Sequence, residues 1–183
     1  MEVPELHLAG DSPRSYHTFS LFGSSLKCCV ISDPHAEKAA ASVAVAAGQL
    51  HDTMPGIAHL TEHLVFMGST SFPVENEYDT FLQQNGGHSN AYTDLEVTCF
   101  YFDVAAAKLH PALDRLASAL SEPLLKVDSL ERELQAVDSE HAKNITQDHW
   151  RIHQLSRQLL GGNNHPFSNF GTGNKESLLQ EAG

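Results

Sequence analysis

The sequence is poor in basic residues and in cysteine. Its 183 residues include 11 Lys and Arg against 23 Asp and Glu, which gives a formal net charge of −12. Because binding to a nucleic-acid backbone requires clustered Lys and Arg, this charge disfavours a nucleic-acid partner. The three cysteines are an odd number, and Cys28 and Cys29 are neighbours whose side chains would point to opposite faces of a strand. We therefore expect no disulfide framework and a reducing compartment.

Long apolar runs and targeting signals are also lacking. The longest run of low polarity, residues 39–48, is about half of the roughly 20 residues that a membrane-spanning helix needs. The first residues, MEVPELHLAGDSPRS, lack the basic segment and apolar core of a secretory signal, and they contain acids that a transit peptide avoids. We interpret residues 1–15 as a disordered tail and expect a cytoplasmic protein without a membrane partner.

The distribution of apolar residues predicts two hairpins and five helices. The hairpins are expected from 18–22 with 26–32 and from 88–93 with 96–104, and a buried strand is expected over 41–48. Apolar residues at helical spacing predict helices over 55–67, 74–87, 105–121, 128–146 and 148–160. Strands and helices that do not alternate strictly indicate an α+β fold, which we expect to be one domain over residues 1–183.

The helix predicted over 55–67 carries three polar residues in an apolar run, GIAHLTEHLVFMG. His59 and His63, at positions i and i+4, lie one above the other, so both imidazoles can reach one metal ion. Glu62 lies about 100° round the helix from His63, beside such a metal, where a general base could act. Zinc lowers the pKa of a bound water to about 7, and a neighbouring carboxylate can then take its proton. The alternative is a pair of half-buried histidines satisfied by hydrogen bonds.

A catalytic zinc site usually needs a third protein ligand besides its water. The helix predicted over 128–146 offers Glu133 and Glu140, seven residues apart and hence on nearly the same side, at the border of the apolar stripe. The alternative is that both are ordinary surface acids.

The motifs resemble those of one enzyme family. GIAHLTEHLVFMGS resembles the active-site helix of the inverted-motif zinc peptidases, the pitrilysin and insulin-degrading enzyme family. AVDSEHAKN resembles the segment of that family that supplies the third ligand, and Glu140 follows His63 by 77 residues, as in the family's layout. Further similar runs cover nearly the whole chain from about residue 16, namely ENEYDTFL, GGHSNAYTDLEVTCFYFDV and HPFSNFGTGNK.

The resemblance implies a fold and a metal site. The fold would be one half-domain of that family, a mostly antiparallel sheet with helices packed on one face, truncated at its C-terminal end. His59, His63 and Glu140 would bind one zinc ion and Glu62 would be the general base. Glu133 would support the site from a second shell, by orienting a ligand histidine.

The resemblance also implies a substrate-binding edge. The strand with Asn90, Ala91 and Tyr92 resembles the edge to which an extended peptide adds as a further strand in that family. For Tyr92 the alternative is a packed strand aromatic. The implied activity is that of a zinc metalloendopeptidase acting on peptides. Because family members are much longer, a C-terminal half or a full-length homologue would be a partner.

Two other functions are compatible with the motif. One is a half-domain that binds zinc and peptide, or regulates a relative, without turnover. The other, more distant, is an S-ribosylhomocysteine lyase, which also uses an H-x-x-E-H helix but takes a cysteine as third ligand. Cys99 follows His63 by only 36 residues, and AVDSEH has no counterpart in that lyase, so we rank it last.

Overall fold

The computed structural model describes residues 13–162 and 165–179. Residues 1–12 of the predicted tail lie outside the described residues, whereas Ser15 already belongs to a strand. The chain divides into two compact units, one ending at Glu37 and the other beginning at Lys38. The expectation of a single domain over residues 1–183 stays a prediction.

The first unit contains the first predicted hairpin. Strand β1 (Ser15–Leu21) pairs antiparallel with β2 (Leu26–Ser32), and a 3-10 turn over Phe22–Ser24 joins them. Gly23 adopts φ +65° in this turn, a conformation that glycine tolerates best. The hairpin is therefore confirmed, with a tight connection where the Gly-Ser sequence predicts one.

The second unit is built on a three-stranded antiparallel sheet. Its strands are β3 (Lys38–Val45), β4 (His88–Thr93) and β5 (Thr98–Ala105), in the order β3-β5-β4. Strands β4 and β5 confirm the second predicted hairpin. The strand predicted as buried over 41–48 instead runs from Lys38 to Val45 and alternates between partly buried and exposed residues. It does so because β3 is an edge strand and, in the described part of the chain, helices cover only one face of the sheet.

Residues 13–162 and 165–179 contain all five predicted helices and a short sixth. Their bounds are α1 (Ile57–Val65), α2 (Glu77–Gln84), α3 (Leu109–Ser121), α4 (Val127–Asn144), α5 (Asp148–Gly161) and α6 (Lys175–Leu178). Helices α1 and α2 begin two and three residues later than predicted. The cause is local, because Gly56 and Asn76 immediately before them adopt positive φ, which a right-handed helix cannot include.

Two apolar clusters hold the second unit together. The larger packs α2 and α3 on one face of the sheet and includes Leu82, Phe102 and Leu116. This arrangement confirms the predicted α+β fold, a mostly antiparallel sheet with helices on one face. Leu130 near the start of α4 and Ile145 just after its end are 39% and 55% exposed, because α4 meets α1 along its middle. Among the described residues, no helix combines the length and the apolar character that a membrane crossing requires.

The smaller cluster joins α1 to α4 and places the polar residues of the motif. Leu60 and Leu64 of α1 pack against Val137, which is fully buried. Glu133 and Glu140 lie four residues before and three residues after Val137, so all three share one face of α4. The contact that buries Val137 therefore turns both carboxylates toward α1.

Candidate metal centre

Two imidazoles from α1 and one carboxylate from α4 converge on a common point. The Oε2 atom of Glu140 lies 3.6 Å from Nε2 of His59 and 3.9 Å from Nε2 of His63. One donor atom from each of the three residues lies within 4.8 Å of the others. The two rings lie 4.8 Å apart, close to perpendicular, as expected for side chains one helical turn apart. The structure thus brings together the three residues predicted as metal ligands.

Hydrogen bonds fix which ring nitrogen of each histidine is free. Nδ1 of His59 lies 2.9 Å from the Thr172 carbonyl oxygen, and Nδ1 of His63 lies 2.9 Å from Oε2 of Glu133. A carbonyl and an ionised carboxylate can only accept, so both Nδ1 atoms carry the proton. In the neutral imidazoles, Nε2 then presents its lone pair toward Glu140.

The donor set fits a zinc ion. Two nitrogen lone pairs and a carboxylate oxygen directed into one small space repel one another unless a cation lies between them. Two histidines and one glutamate form a donor set found in catalytic zinc sites, with a further position left for water. The Glu140 side chain is 39% exposed against 14% for His59, so the group is open to solvent on the side of α4.

Close backbone packing brings Thr172 to the first histidine. Gly56 adopts φ +96°, and a Cβ atom there would lie 2.3 Å from Cα of Gly173, so the two segments touch through bare backbone. The Asp52 carboxylate accepts hydrogen bonds from the backbone N–H groups of Gly56 and Ala58, at 2.9 and 3.0 Å, and so caps the start of α1. Asp52 is partly buried, and this burial raises the pKa of its carboxyl.

The residue predicted as general base is held by the end of a strand. Oγ1 of Thr93, the last residue of β4, donates a hydrogen bond of 2.5 Å to Oε2 of Glu62. Glu62 lines the same cleft as His59 and His63. Its carboxylate is therefore in the cleft and is bound to the end of strand β4.

Strand β4 carries the residues predicted to bind substrate, and it is an edge of the three-stranded sheet. Asn90 accepts a hydrogen bond from the backbone N–H of Ala91 through Oδ1, at 2.9 Å. Tyr92 is 49% exposed, and its interaction with the neighbouring Cys99 raises the pKa of its hydroxyl. An aromatic side chain half in water is not a packed core residue, so Tyr92 is available to a ligand.

A cleft of about 740 Å³ connects these parts. Its walls include Ala91 and Tyr92 of β4, Trp150 and His153 of α5, and Phe170. Sequence reasoning missed Thr93 and Thr172 as neighbours of the site. For Thr172 a signal was present, because it lies in HPFSNFGTGNK, a run that resembles the family but to which no role was assigned.

Comparison with known proteins identifies the family of the chain. Residues 27–163 match the model of the family described as insulinase, peptidase family M16. The fold and the match define a protein of the metallopeptidase class. The chain belongs to the M16 peptidase family.

Individual relatives show how much of such a protein the chain represents. It is 47% identical to the A-factor-processing enzyme of Saccharomyces cerevisiae over 90% of this chain and 16% of that protein. It is 44% identical to the insulin-degrading enzyme of Mus musculus over 92% of this chain and 16% of that protein. The crystal structure of pitrilysin superposes with a TM-score of 0.88 and 35% identity, over 94% of this chain and 18% of that one. The chain thus spans about a sixth of the length of the relatives it matches.

Proposed function

We propose that this chain carries the metal centre of a zinc metalloendopeptidase. His59, His63 and Glu140 would hold one zinc ion, and Glu62 would act as general base. The observation that carries the proposal is the convergence of two Nε2 atoms and Glu140 Oε2, with each Nδ1 tied by a hydrogen bond of 2.9 Å. When bound, zinc would polarise a peptide carbonyl and lower the pKa of a water molecule.

Two observations support Glu62 as the general base: it lines the same cleft as the candidate ligands, and one of its carboxylate oxygens is left for a proton. Its Oε2 is occupied by the Thr93 hydroxyl, so Oε1 is the oxygen left to accept a proton. From there the proton would pass to the amine that leaves when the peptide bond breaks. Because Thr93 belongs to β4, the base is held relative to the strand that would bind the substrate.

Peptides would bind along the outer edge of β4. That strand is an edge in the described part of the chain, so its unpaired backbone groups can accept an extended peptide as a further strand. Backbone pairing discriminates little between sequences, so the side chains at Asn90, Ala91 and Tyr92 and the cleft wall would select among peptides.

The proposal includes a partner and a compartment. Since the chain spans about a sixth of its relatives, we propose that a C-terminal half or a full-length homologue completes the substrate chamber. A cytoplasmic location is supported by three cysteines that are all free.

Zinc binding and turnover can be tested separately. Purified chain with one equivalent of zinc is expected to cleave a fluorogenic peptide, and Glu62→Gln should abolish cleavage while keeping the metal. Glu140→Ala should lose the metal. Cys99→Ala should keep it, whereas a lyase-type site with a cysteine as third ligand would lose the metal in this variant. A wild-type chain that binds zinc but cuts nothing would instead support a binding or regulatory half-domain without turnover.

A further inference from the structure

A chain of hydrogen bonds runs from a buried arginine on α5 to the predicted base. Nη1 of Arg157 donates to Oε1 of Gln49 at 2.7 Å, and Nε2 of Gln49 donates to the Thr93 carbonyl oxygen at 3.2 Å. The Thr93 hydroxyl in turn donates to Glu62 at 2.5 Å. Thr93 is thus held through its backbone on one side and holds Glu62 through its side chain on the other.

The surroundings of Arg157 indicate that it orients its neighbours rather than stabilises the fold. Its side chain is buried, with 4% exposed, and Nε donates to the Phe167 carbonyl oxygen at 2.7 Å. It forms no salt bridge within the described part of the chain, Asp94 attracts it only at longer range, and its Nη2 is buried without a partner. A buried cation without a paired anion stabilises a fold poorly. What the rigid guanidinium does supply is direction, because its donors point along fixed lines.

That direction determines how the Gln49 amide is turned. A guanidinium can only donate, so the atom of Gln49 that faces Arg157 must be the oxygen. The amide nitrogen then faces the Thr93 carbonyl, which can only accept, and both ends agree on one orientation. The amide also lies against bare backbone, since a Cβ atom on Gly171 would come within 2.1 Å of Cδ of Gln49.

We infer that Arg157 and Gln49 are positioning residues that fix the end of β4 and, through the Thr93 hydroxyl, the carboxylate of Glu62. The inference rests on the proposed function, in which Glu62 is the base. A misplacement of about 1 Å in a reacting group can lower a rate about 100-fold, so a contact remote from the metal can matter for turnover. Both residues also line the cleft, but the role inferred for them is to act on Glu62 through Thr93.

The discriminating variant is Gln49→Glu. A carboxylate at 49 strengthens the contact with Arg157 but places an acceptor opposite the Thr93 carbonyl, so the second link becomes repulsive. We expect a melting temperature at or above that of the wild type together with a fall in kcat of about tenfold or more. If Gln49 serves only to satisfy Arg157, kcat stays at the wild-type value and the inference is overturned. Gln84→Glu, the same change on the exposed surface of α2, is the matched control.

A double-mutant cycle tests whether the links act in series. Gln49→Leu and Thr93→Val should each lower kcat, and the double variant should be no slower than Thr93→Val alone, since the effect of Gln49 on Glu62 passes through Thr93. Losses that multiply would mean that the two residues act independently, which contradicts the inference. Thr93→Ser, which keeps the hydroxyl, should restore most of the rate.

Two measurements do not depend on turnover. Gln49→Glu and Gln49→Leu should bind zinc as the wild type does, because neither touches the histidines or Glu140. Crystal structures of the two variants should show the Thr93 hydroxyl separated from the Glu62 carboxylate beyond hydrogen-bond distance. An unchanged Thr93–Glu62 contact in both would overturn the inference even if the chain proves inactive, whereas an inactive wild type with zinc bound would count against the proposed function alone.

Discussion

Replacing Glu133 by Gln would test how much the second carboxylate contributes to metal binding. In the structure Oε2 of Glu133 accepts from Nδ1 of His63 at 2.9 Å, with both side chains less than a quarter exposed. Hydrogen bonds to charged groups contribute about 1.5–3 kcal/mol and neutral ones about 0.5–1.5 kcal/mol. Glutamine can still accept through its oxygen, so the loss should be about 1–2 kcal/mol. This corresponds to zinc binding that is roughly 5–30 times weaker.

The assay is a competition titration of zinc against a chromophoric chelator. Glu131→Gln is the matched control, because Glu131 lies on the same helix, is exposed and undergoes the same change in charge. Glu140→Ala sets the scale of a lost ligand. Comparable zinc affinity in Glu133→Gln and Glu131→Gln, with Glu140→Ala clearly weakened, would refute the idea that the charge of Glu133 strengthens zinc binding through His63.

Three further changes test the packing around the site. Gly173→Ala should lower the free energy of unfolding in urea more than Gly86→Ala does. Both glycines have positive φ (+73° and +69°), but only a Cβ atom on Gly173 meets backbone, at 2.7 Å from Cα of Gly56. Equal losses would mean that the close approach of Gly173 to Gly56 is unimportant. Burial raises the pKa of Asp52, so the folded state holds that proton more tightly than the unfolded state, and this contribution to stability is lost as pH rises from about 4 through the raised value. Metal-free Asp52→Asn should lack that part of the pH dependence, and an unchanged slope would contradict the assignment. Leu82→Ala, at a fully buried position, should lower the free energy of unfolding by about 2–5 kcal/mol, and Leu159→Ala, at a position 76% exposed, should change it little.

The metal group was predictable because two of its three members are set by local geometry. His59 and His63 share a face of any helix that contains them, and the apolar residues between them predict that helix. Local geometry alone did not determine the third member, since Glu133 and Glu140 lie on the same side of α4 and either could be the ligand. The structure separates their contacts, with Glu140 at both Nε2 atoms and Glu133 at Nδ1 of His63.

The contacts that orient the site left little trace in the sequence. Thr172 reaches His59 through its carbonyl oxygen, which every residue type possesses. Thr93 and Gln49 have side chains suited to many surface positions, and their roles depend on strand and loop placement. Burial also depends on neighbours, which is why the Ala- and Val-rich β3 is predicted as buried although the described structure places it at an edge.

Two separate hydrogen-bond networks meet on helix α1, and they should control different properties. Glu133 and Thr172 hold the Nδ1 atoms of the histidines, so changes there should alter zinc affinity. Gln49 and Arg157 act on Glu62 through Thr93, so changes there should alter turnover at constant zinc affinity. The networks share no side chain, but they are linked by the backbone of α1 and by the contact of Gln49 with Gly171, the neighbour of Thr172. Effects confined to one property would show that these two links transmit little movement, whereas a substitution that changed both properties would show that the two networks move together.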